Sequence, residues 1–107
     1  MGYELRVVSD ARTLYFRVHQ ITQYNTDLKF TLNQQIIRAS ISVGSNVVEG
    51  SRRTPKEFRR YLDIAIGSCD EVKYQLSLYP QSDLTKHTLR FCDRIIGQLV
   101  NLKNSIK

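Results

Sequence analysis

The stretch from Gln35 to Gly50 is too apolar to be a helix that buries only one side. At 100° per residue, its apolar side chains and those just before it merge into an arc of roughly half the helix circumference. They are Leu32, Ile36, Ala39, Val43 and Val47, joined by Ile37, Ile41, Gly44 and Val48. The remaining arc is a polar stripe at helical spacing, Gln35, Arg38, Ser42, Asn46 and Glu49. Such a helix must be buried on two sides.

The rest of the chain also has helical periodicity. Its 5 glycines and 2 prolines are sparse, it has no run of alternating apolar and polar residues, and it contains neither Asn-Gly nor Asp-Gly. In the first segment the apolar residues recur at steps of four and three: Val7, Ala11, Leu14, Val18 and Ile21. The sequence therefore predicts an all-α chain with helices over about residues 5–24, 30–49, 55–79 and 84–104.

Local signals mark the ends of these helices. Thr54, Pro55 and Glu57 match a capping box with proline at the first helical position. Gly50 is placed to end the second helix in the left-handed conformation of a C′ residue. The breaks at residues 25–27 and 80–83 are short, and short connections join antiparallel neighbours. A chain of 107 residues is one domain, 1–107, so the prediction is an antiparallel up-down-up-down four-helix bundle.

The second and fourth helices have more apolar surface than the interior of one bundle needs. The arc of the fourth helix holds Leu89, Phe91, Cys92, Ile95, Ile96, Leu99, Val100, Leu102 and Ile106. Because monomers rarely expose a contiguous apolar patch of this kind, the pattern predicts a homo-oligomer. The alternative is that Ile37, Ile41 and Val48 are scattered surface residues.

The chain is basic, with 16 lysines and arginines against 10 acidic residues and a net charge of +6, which favours a polyanionic partner such as RNA or DNA. One cluster surrounds the turn between the second and third helices: Arg52, Arg53, Lys56, Arg59 and Arg60. A second set recurs at four-residue steps on the fourth helix: Lys86, Arg90 and Arg94. Two alternatives remain, a solvated basic face and an acidic protein partner, and Glu57, Asp63 and Asp93 are close enough in sequence to neutralise part of either patch.

The sequence contains none of the common catalytic motifs. The sequence has no glycine-rich phosphate loop, no spacing of histidines and carboxylates for catalysis or metal binding, and no serine elbow. The expectation is a protein that is not an enzyme, with no catalytic residue, cofactor or metal. No apolar run is long enough to span a membrane and no secretion signal is apparent, so a cytoplasmic location is expected.

Three polar residues and two cysteines remain open to interpretation. Arg38, Asn46 and Glu49 on the second helix are either a contact for a ligand or partner, or a structural network around the turn at Gly50. Cys69 and Cys92 are interpreted as small core residues, which a disulfide could join only if their helices face each other.

The middle of the chain resembles the small bacterial proteins called 23S rRNA intervening-sequence proteins. The matching residues are Gln35, Ile36, Arg38-Ala39-Ser40, Asn46, Glu49-Gly50, Glu57-Phe58, Leu62, Ile64-Ala65, Gly67-Ser68 and Glu71. The resemblance implies a four-helix bundle that assembles as a ring, typically a homopentamer, without known catalytic activity. Relatives in diversity-generating retroelements, the accessory variability proteins, bind nucleic acid together with a reverse transcriptase. Two functions follow as expectations: a nucleic-acid-binding accessory protein, or a scaffold that holds a protein partner such as a reverse transcriptase.

Overall fold

Four α-helices make up most of the chain, in a computed structural model that describes the backbone of residues 2–107 and the side chains of residues 6–27 and 31–107. They are α1 (Gly2–Tyr24), α2 (Gln34–Ser51), α3 (Pro55–Leu76) and α4 (Asp83–Ser105). No strand occurs within residues 2–107, so the prediction of an all-α fold with four helices is confirmed. Met1, which the predicted domain 1–107 includes, lies outside the described residues.

One hydrophobic core lies between the helices. α2 packs against α1 and α3, and α4 packs against α3 and α1, so each helix borders two others. The predicted stripe of α1 is confirmed, because all five of its residues are buried: Val7, Ala11, Leu14, Val18 and Ile21. Each of the other three helices adds residues to the same core, among them Ile36, Val43, Leu62, Val72, Ile95 and Leu99. None of the described helices is both long and apolar enough to cross a bilayer.

The α-helical part of α2 begins at Gln34, later than the predicted start near Phe30. A 3₁₀ turn (Thr26–Leu28) and a wider π turn (Lys29–Asn33) precede it. Asn33 at the end of the π turn is buried, and its Nδ2 donates to the carbonyl oxygen of Asn25 at 2.9 Å while its Oδ1 accepts a hydrogen bond from the Tyr79 hydroxyl. Because a buried amide needs such partners, these two bonds favour the irregular turn over a regular helix start.

Gly50 does not have the left-handed conformation predicted for it. None of the glycines in residues 2–107 has a positive φ, and α2 continues through Gly50 to Ser51. The reason for glycine is contact with α3 instead, since a Cβ at this position would lie 2.5 Å from Tyr61 Cβ and 2.9 Å from Phe58 Cδ1. Gly50 is therefore a point of close approach between two helices.

α3 begins with the predicted capping box, which is confirmed. Thr54 Oγ1 accepts from the Glu57 amide at 3.2 Å, and Glu57 Oε1 accepts from the Thr54 amide at 3.3 Å. The helix ends at Leu76, three residues before the predicted 79, because the amides of Leu78 and Tyr79 bond to carbonyl groups three residues earlier in a tighter turn. α4 begins at Asp83, where Ser82 Oγ accepts from the Thr85 amide at 3.1 Å.

Candidate nucleic-acid interface

The first predicted basic cluster lies at the turn between α2 and α3, and two of its five cations bind groups of the chain itself. The Arg53 guanidinium donates to Glu49 Oε2 from both Nε, at 3.0 Å, and Nη2. Arg59 is half-buried, and its Nη1 donates to the carbonyl oxygens of Ile106 at 3.1 Å and Lys107 at 3.4 Å. These two arginines therefore hold the local structure as well as adding charge.

The other three cations of this cluster, Arg52, Lys56 and Arg60, are exposed. No side-chain hydrogen bond or ion pair joins them to another residue in the described part of the chain. The guanidinium carbons of Arg60 and Arg53 lie 5.7 Å and 5.8 Å from the ring centroid of Tyr61. The end of α2 and the start of α3 thus present positive charge to solvent beside an aromatic ring.

The second predicted set, Lys86, Arg90 and Arg94, is exposed on α4. Arg90 and Arg94 line a shallow depression of about 310 Å³, which we call the basic pocket. Its other lining residues are Arg17, His87 and Phe91. Arg17 comes from α1, and its guanidinium carbon lies 4.3 Å from the centroid of the Phe91 ring. The basic pocket is therefore built by two helices.

Arg17 and His87 were not identified from the sequence as residues of a basic site. A signal existed for His87, because it lies one turn before Phe91 on the face that carries Arg90 and Arg94. No local signal existed for Arg17. Its place beside Phe91 depends on the packing of α1 against α4, which no pattern within either segment specifies.

The acidic residues expected to neutralise the two basic patches bind other groups. Asp93 Oδ1 lies 2.6 Å from Lys73 Nζ, and Asp63 Oδ1 lies 2.6 Å from Lys103 Nζ, so both carboxylates pair across the contact between α3 and α4. Glu57 is part of the capping box, where its hydrogen bonds with Thr54 hold its pKa below the usual value. Within residues 6–27 and 31–107, no carboxylate forms an ion pair with an arginine of the basic pocket.

The polar stripe of α2 is divided among separate local contacts. Asn46 Nδ2 donates to the carbonyl oxygen and to Oγ of Ser42, at 2.8 and 2.9 Å, and Ser42 Oγ lies 2.8 Å from Ser68 Oγ on α3. Glu49 pairs with Arg53, whereas Arg38 is exposed. The three candidates Arg38, Asn46 and Glu49 therefore do not converge on one site, and the network of Asn46 points back along α2 rather than to the turn after Gly50.

Cys69 and Cys92 lie on facing helices and are fully buried with free thiols. Cys69 Sγ donates to the carbonyl oxygen of Cys92 at 3.6 Å. The hydrogen bond with Cys92 and the loss of water around it raise the pKa of the Cys69 thiol. In the described part of the chain, no group of three or more histidine, cysteine or acidic side chains is arranged to hold a metal ion.

Much of the surplus apolar arc of α2 faces solvent. We call the depression between α1 and α2 the α1–α2 groove; it consists of two adjoining cavities of about 620 and 580 Å³ that share Ile41. Phe16 is 61% exposed there, Ile41 50% and Val48 41%. The single chain therefore covers the half of the arc that contains Ile36 and Val43 and leaves the other half open.

Comparison with known proteins gives one family and one fold. The model of a family described as 23S rRNA-intervening sequence protein matches residues 3–103. A crystal structure of a protein with unknown function from the S23 ribosomal protein family of Bacteroides thetaiotaomicron superposes with a TM-score of 0.82 over 94% of each chain. The two sequences are 20% identical, so this likeness shows a shared fold alone. No curated protein matches the sequence.

Proposed function

The chain belongs to the 23S rRNA-intervening sequence protein family, and from that premise we propose that it is a non-enzymatic, homo-oligomeric protein of the cytoplasm that binds RNA or DNA through its basic surfaces. One observation carries the proposal. Three arginines converge on the basic pocket, while the carboxylate of Asp93, adjacent in sequence to Arg94, is bound to Lys73 on α3. Cations without acidic partners attract the phosphate groups of RNA or DNA electrostatically, whatever the nucleotide sequence.

The proposed assembly is a ring of antiparallel up-down-up-down bundles, a homopentamer by resemblance. The short connections at residues 52–54 and 77–82 favour antiparallel neighbours. The open α1–α2 groove favours association, because a second subunit would remove Phe16 and Ile41 from water. A ring repeats each basic patch in every subunit, which concentrates positive potential on the assembly.

The proposed assembly is tested by mass. Light scattering on the wild type should give several multiples of the 12.4 kDa chain. Ile41→Lys, which places a charge in the α1–α2 groove, should lower that mass without unfolding the helices. Leu78→Lys is the matched control, since Leu78 is as exposed as Ile41 but lies outside the groove. A monomeric wild type would contradict the proposed assembly.

Binding is tested by fluorescence anisotropy with mixed-sequence single-stranded RNA between about 50 and 200 mM salt, a range over which phosphate contacts weaken steeply. Arg90→Gln combined with Arg94→Gln should weaken binding and make the plot of log affinity against log salt shallower by about 1.4, the value for two lost phosphate contacts. Lys103→Gln combined with Asp63→Asn is the matched control, because it removes an internal ion pair and leaves the net charge unchanged.

No retention of RNA or DNA at the lowest salt concentration would contradict nucleic-acid binding. An unchanged salt slope in the double arginine variant would contradict the part assigned to the basic pocket. If binding is found, we propose that the protein serves as an accessory factor, with a reverse transcriptase of a diversity-generating retroelement as a partner.

The second candidate function is a scaffold for a protein partner, without a role in binding nucleic acid. The α1–α2 groove favours it, since an apolar depression with exposed Phe16 and Val48 suits a protein surface better than a phosphate backbone. A scaffold should retain the product of a neighbouring gene at high salt, and Phe16→Lys should abolish that retention. Retention that disappears as salt rises would favour the nucleic-acid proposal instead.

A further inference from the structure

Arg17 and Phe91 contact each other in the lining of the basic pocket. The guanidinium carbon lies 4.3 Å from the ring centroid, and both side chains are half-buried. A guanidinium is planar and stacks on aromatic faces, and that of Arg17 lies over the Phe91 ring. Because Arg17 also lines the basic pocket, a planar cationic surface is available to a ligand there.

The size and rim of the basic pocket limit what it can take. Its volume of about 310 Å³ is at the small end of ligand pockets, which suits a single planar ring better than a larger ligand. Arg90 and Arg94 are exposed at the rim, one turn apart, or about 6 Å along the axis of α4. His87 adds a second planar ring one turn before Phe91. The pocket therefore combines planar side chains with positive charge.

This combination matches the chemistry of an unpaired nucleotide. Proteins bind unpaired bases by stacking them on aromatic rings or arginine planes, while basic residues hold the phosphates. In a duplex the base faces are stacked on one another and only their edges are reached from the grooves. A duplex would contact Arg90 and Arg94 at the rim but would leave Arg17 and Phe91 unused.

We propose that the basic pocket binds one unpaired nucleotide of a single strand, with the base stacked on the Arg17 guanidinium and the flanking phosphates held by Arg90 and Arg94. The inference rests on the proposed nucleic-acid binding and specifies its substrate class. A strand is favoured over a free nucleotide because the positive charge continues outside the pocket: Lys86 lies one turn before Arg90 on the same exposed face.

The test compares three ligands by anisotropy or its competition form: a 12-nucleotide single strand, a duplex of the same length, and adenosine monophosphate. Arg17→Lys keeps the charge but removes the plane, and Phe91→Leu keeps an apolar side chain but removes the ring. Each variant should lower affinity for the single strand about fivefold or more, the effect of losing one stacked base, and change affinity for the duplex less than twofold. Arg12→Lys is the control, because it makes the same change at an exposed arginine of α1 outside the basic pocket, so its single-strand affinity should stay within twofold of the wild type.

Thermal unfolding of each variant checks that the fold is retained. If Phe91→Leu is unstable, Arg17→Lys alone decides the test. Unchanged single-strand affinity in Arg17→Lys would overturn the inference. So would a wild-type protein that binds duplex and single strand with equal affinity and the same salt slope. Either result would leave the proposed function intact. Adenosine monophosphate that binds as tightly as the strand would overturn the assignment to a polymer. If neither nucleic acid binds at about 50 mM salt, the proposed function and this inference fail together.

Discussion

The backbone of Gly50 and the side chain of Tyr61 are so close that a Cβ on Gly50 would lie 2.5 Å from the Cβ of Tyr61. Real Cβ atoms do not approach each other so closely, and a Cβ on Tyr61 is fixed to its backbone. A larger residue at position 50 must therefore move α2 away from α3. The ring of Tyr61 also lies near Arg53 and Arg60, so the same contact sets the spacing of cations at this end of the molecule.

Gly50→Ala should destabilise the protein even though alanine favours helix. The gain in helix propensity is about 1 kcal/mol, whereas forcing a methyl group into a packed contact costs about 1 to 3 kcal/mol, so the net change should be destabilising. Urea unfolding measures the difference. Gly67→Ala and Gly97→Ala are the controls, because nothing lies within 4 Å of a Cβ at either position, and both should stabilise the protein by up to about 1 kcal/mol. A Gly50→Ala variant as stable as these two would contradict the close approach.

Tyr79→Phe should lower the free energy of unfolding by about 1 to 3 kcal/mol, because it leaves the buried Oδ1 of Asn33 without its donor. Tyr79 is only 3% exposed, and its hydroxyl links the turn after α3 to the π turn before α2. Tyr74→Phe is the control, since Tyr74 is 66% exposed, and its effect should stay within about 0.5 kcal/mol. Equal stability of the Tyr79 and Tyr74 variants would show that the bond to Asn33 adds nothing.

The same tyrosine should make the protein less stable at high pH. Burial raises the pKa of Tyr79 from 10.0 to about 12, so the unfolded chain loses this proton at lower pH than the folded chain does. The contribution of protonated Tyr79 to the free energy of unfolding is fully present below pH 10 and is lost as the pH rises through 12. Urea unfolding at several values from pH 9 to 12 measures it. Tyr79→Phe should show a smaller decrease over this range than the wild type, and an identical decrease would contradict the assignment.

Arg52→Gln should weaken nucleic-acid binding more than the double variant Arg53→Gln with Glu49→Gln. Arg52 is exposed, whereas Arg53 is paired with Glu49, so removing Arg53 alone also leaves a carboxylate that repels phosphate. Arg53→Gln with Glu49→Gln removes both charges and should bind within about twofold of the wild type, since an exposed pair has little net effect. Anisotropy at low salt measures all three. Equal weakening by Arg52→Gln and the double variant would mean that the ion pair does not mask Arg53.

Cys69 and Cys92 should react slowly with thiol reagents in the folded protein. The thiolate is the reactive form, and the hydrogen bond with Cys92 and burial raise the pKa of the Cys69 thiol. Ellman's reagent should modify both cysteines at once in denaturant, but in buffer only at the rate at which the protein opens. The controls are the single variants Cys69→Ala and Cys92→Ala, which assign the signal to one thiol. Rapid modification of either cysteine in buffer would contradict its burial.

The parts of the fold that depend on neighbours in sequence could be predicted from the sequence. The buried stripe of α1 follows from helical periodicity, and the capping box follows from Thr54 and Glu57 at fixed spacing. The start of α2 could not be predicted, because Asn33 at the end of the π turn accepts a hydrogen bond from the hydroxyl of Tyr79, 46 residues away. The role of Gly50 was wrong for the same reason: the contact that requires glycine lies on α3.

The candidate site likewise has a part that could be predicted from the sequence and a part that could not. Composition and spacing identify Arg52, Lys56, Arg90 and Arg94 as clustered cations, since clustering along the chain is visible in the sequence. Whether a cation is exposed or bound to the chain depends on tertiary structure, so the bonds of Arg59 to the last two carbonyl groups could not be predicted. The position of Arg17 on Phe91 likewise requires two helices to be packed together.

The ion pairs Lys73–Asp93 and Lys103–Asp63 lie on the flank of α4 that faces α3, while Arg90 and Arg94 lie on the flank that faces α1. The two sides of one helix therefore differ in net charge. A difference of this kind acts on a charged partner before any contact forms, because it orients the approaching molecules and raises the rate of association at low ionic strength. Under the proposed function, the pairs that tie α3 to α4 therefore also determine from which side a polyanion approaches.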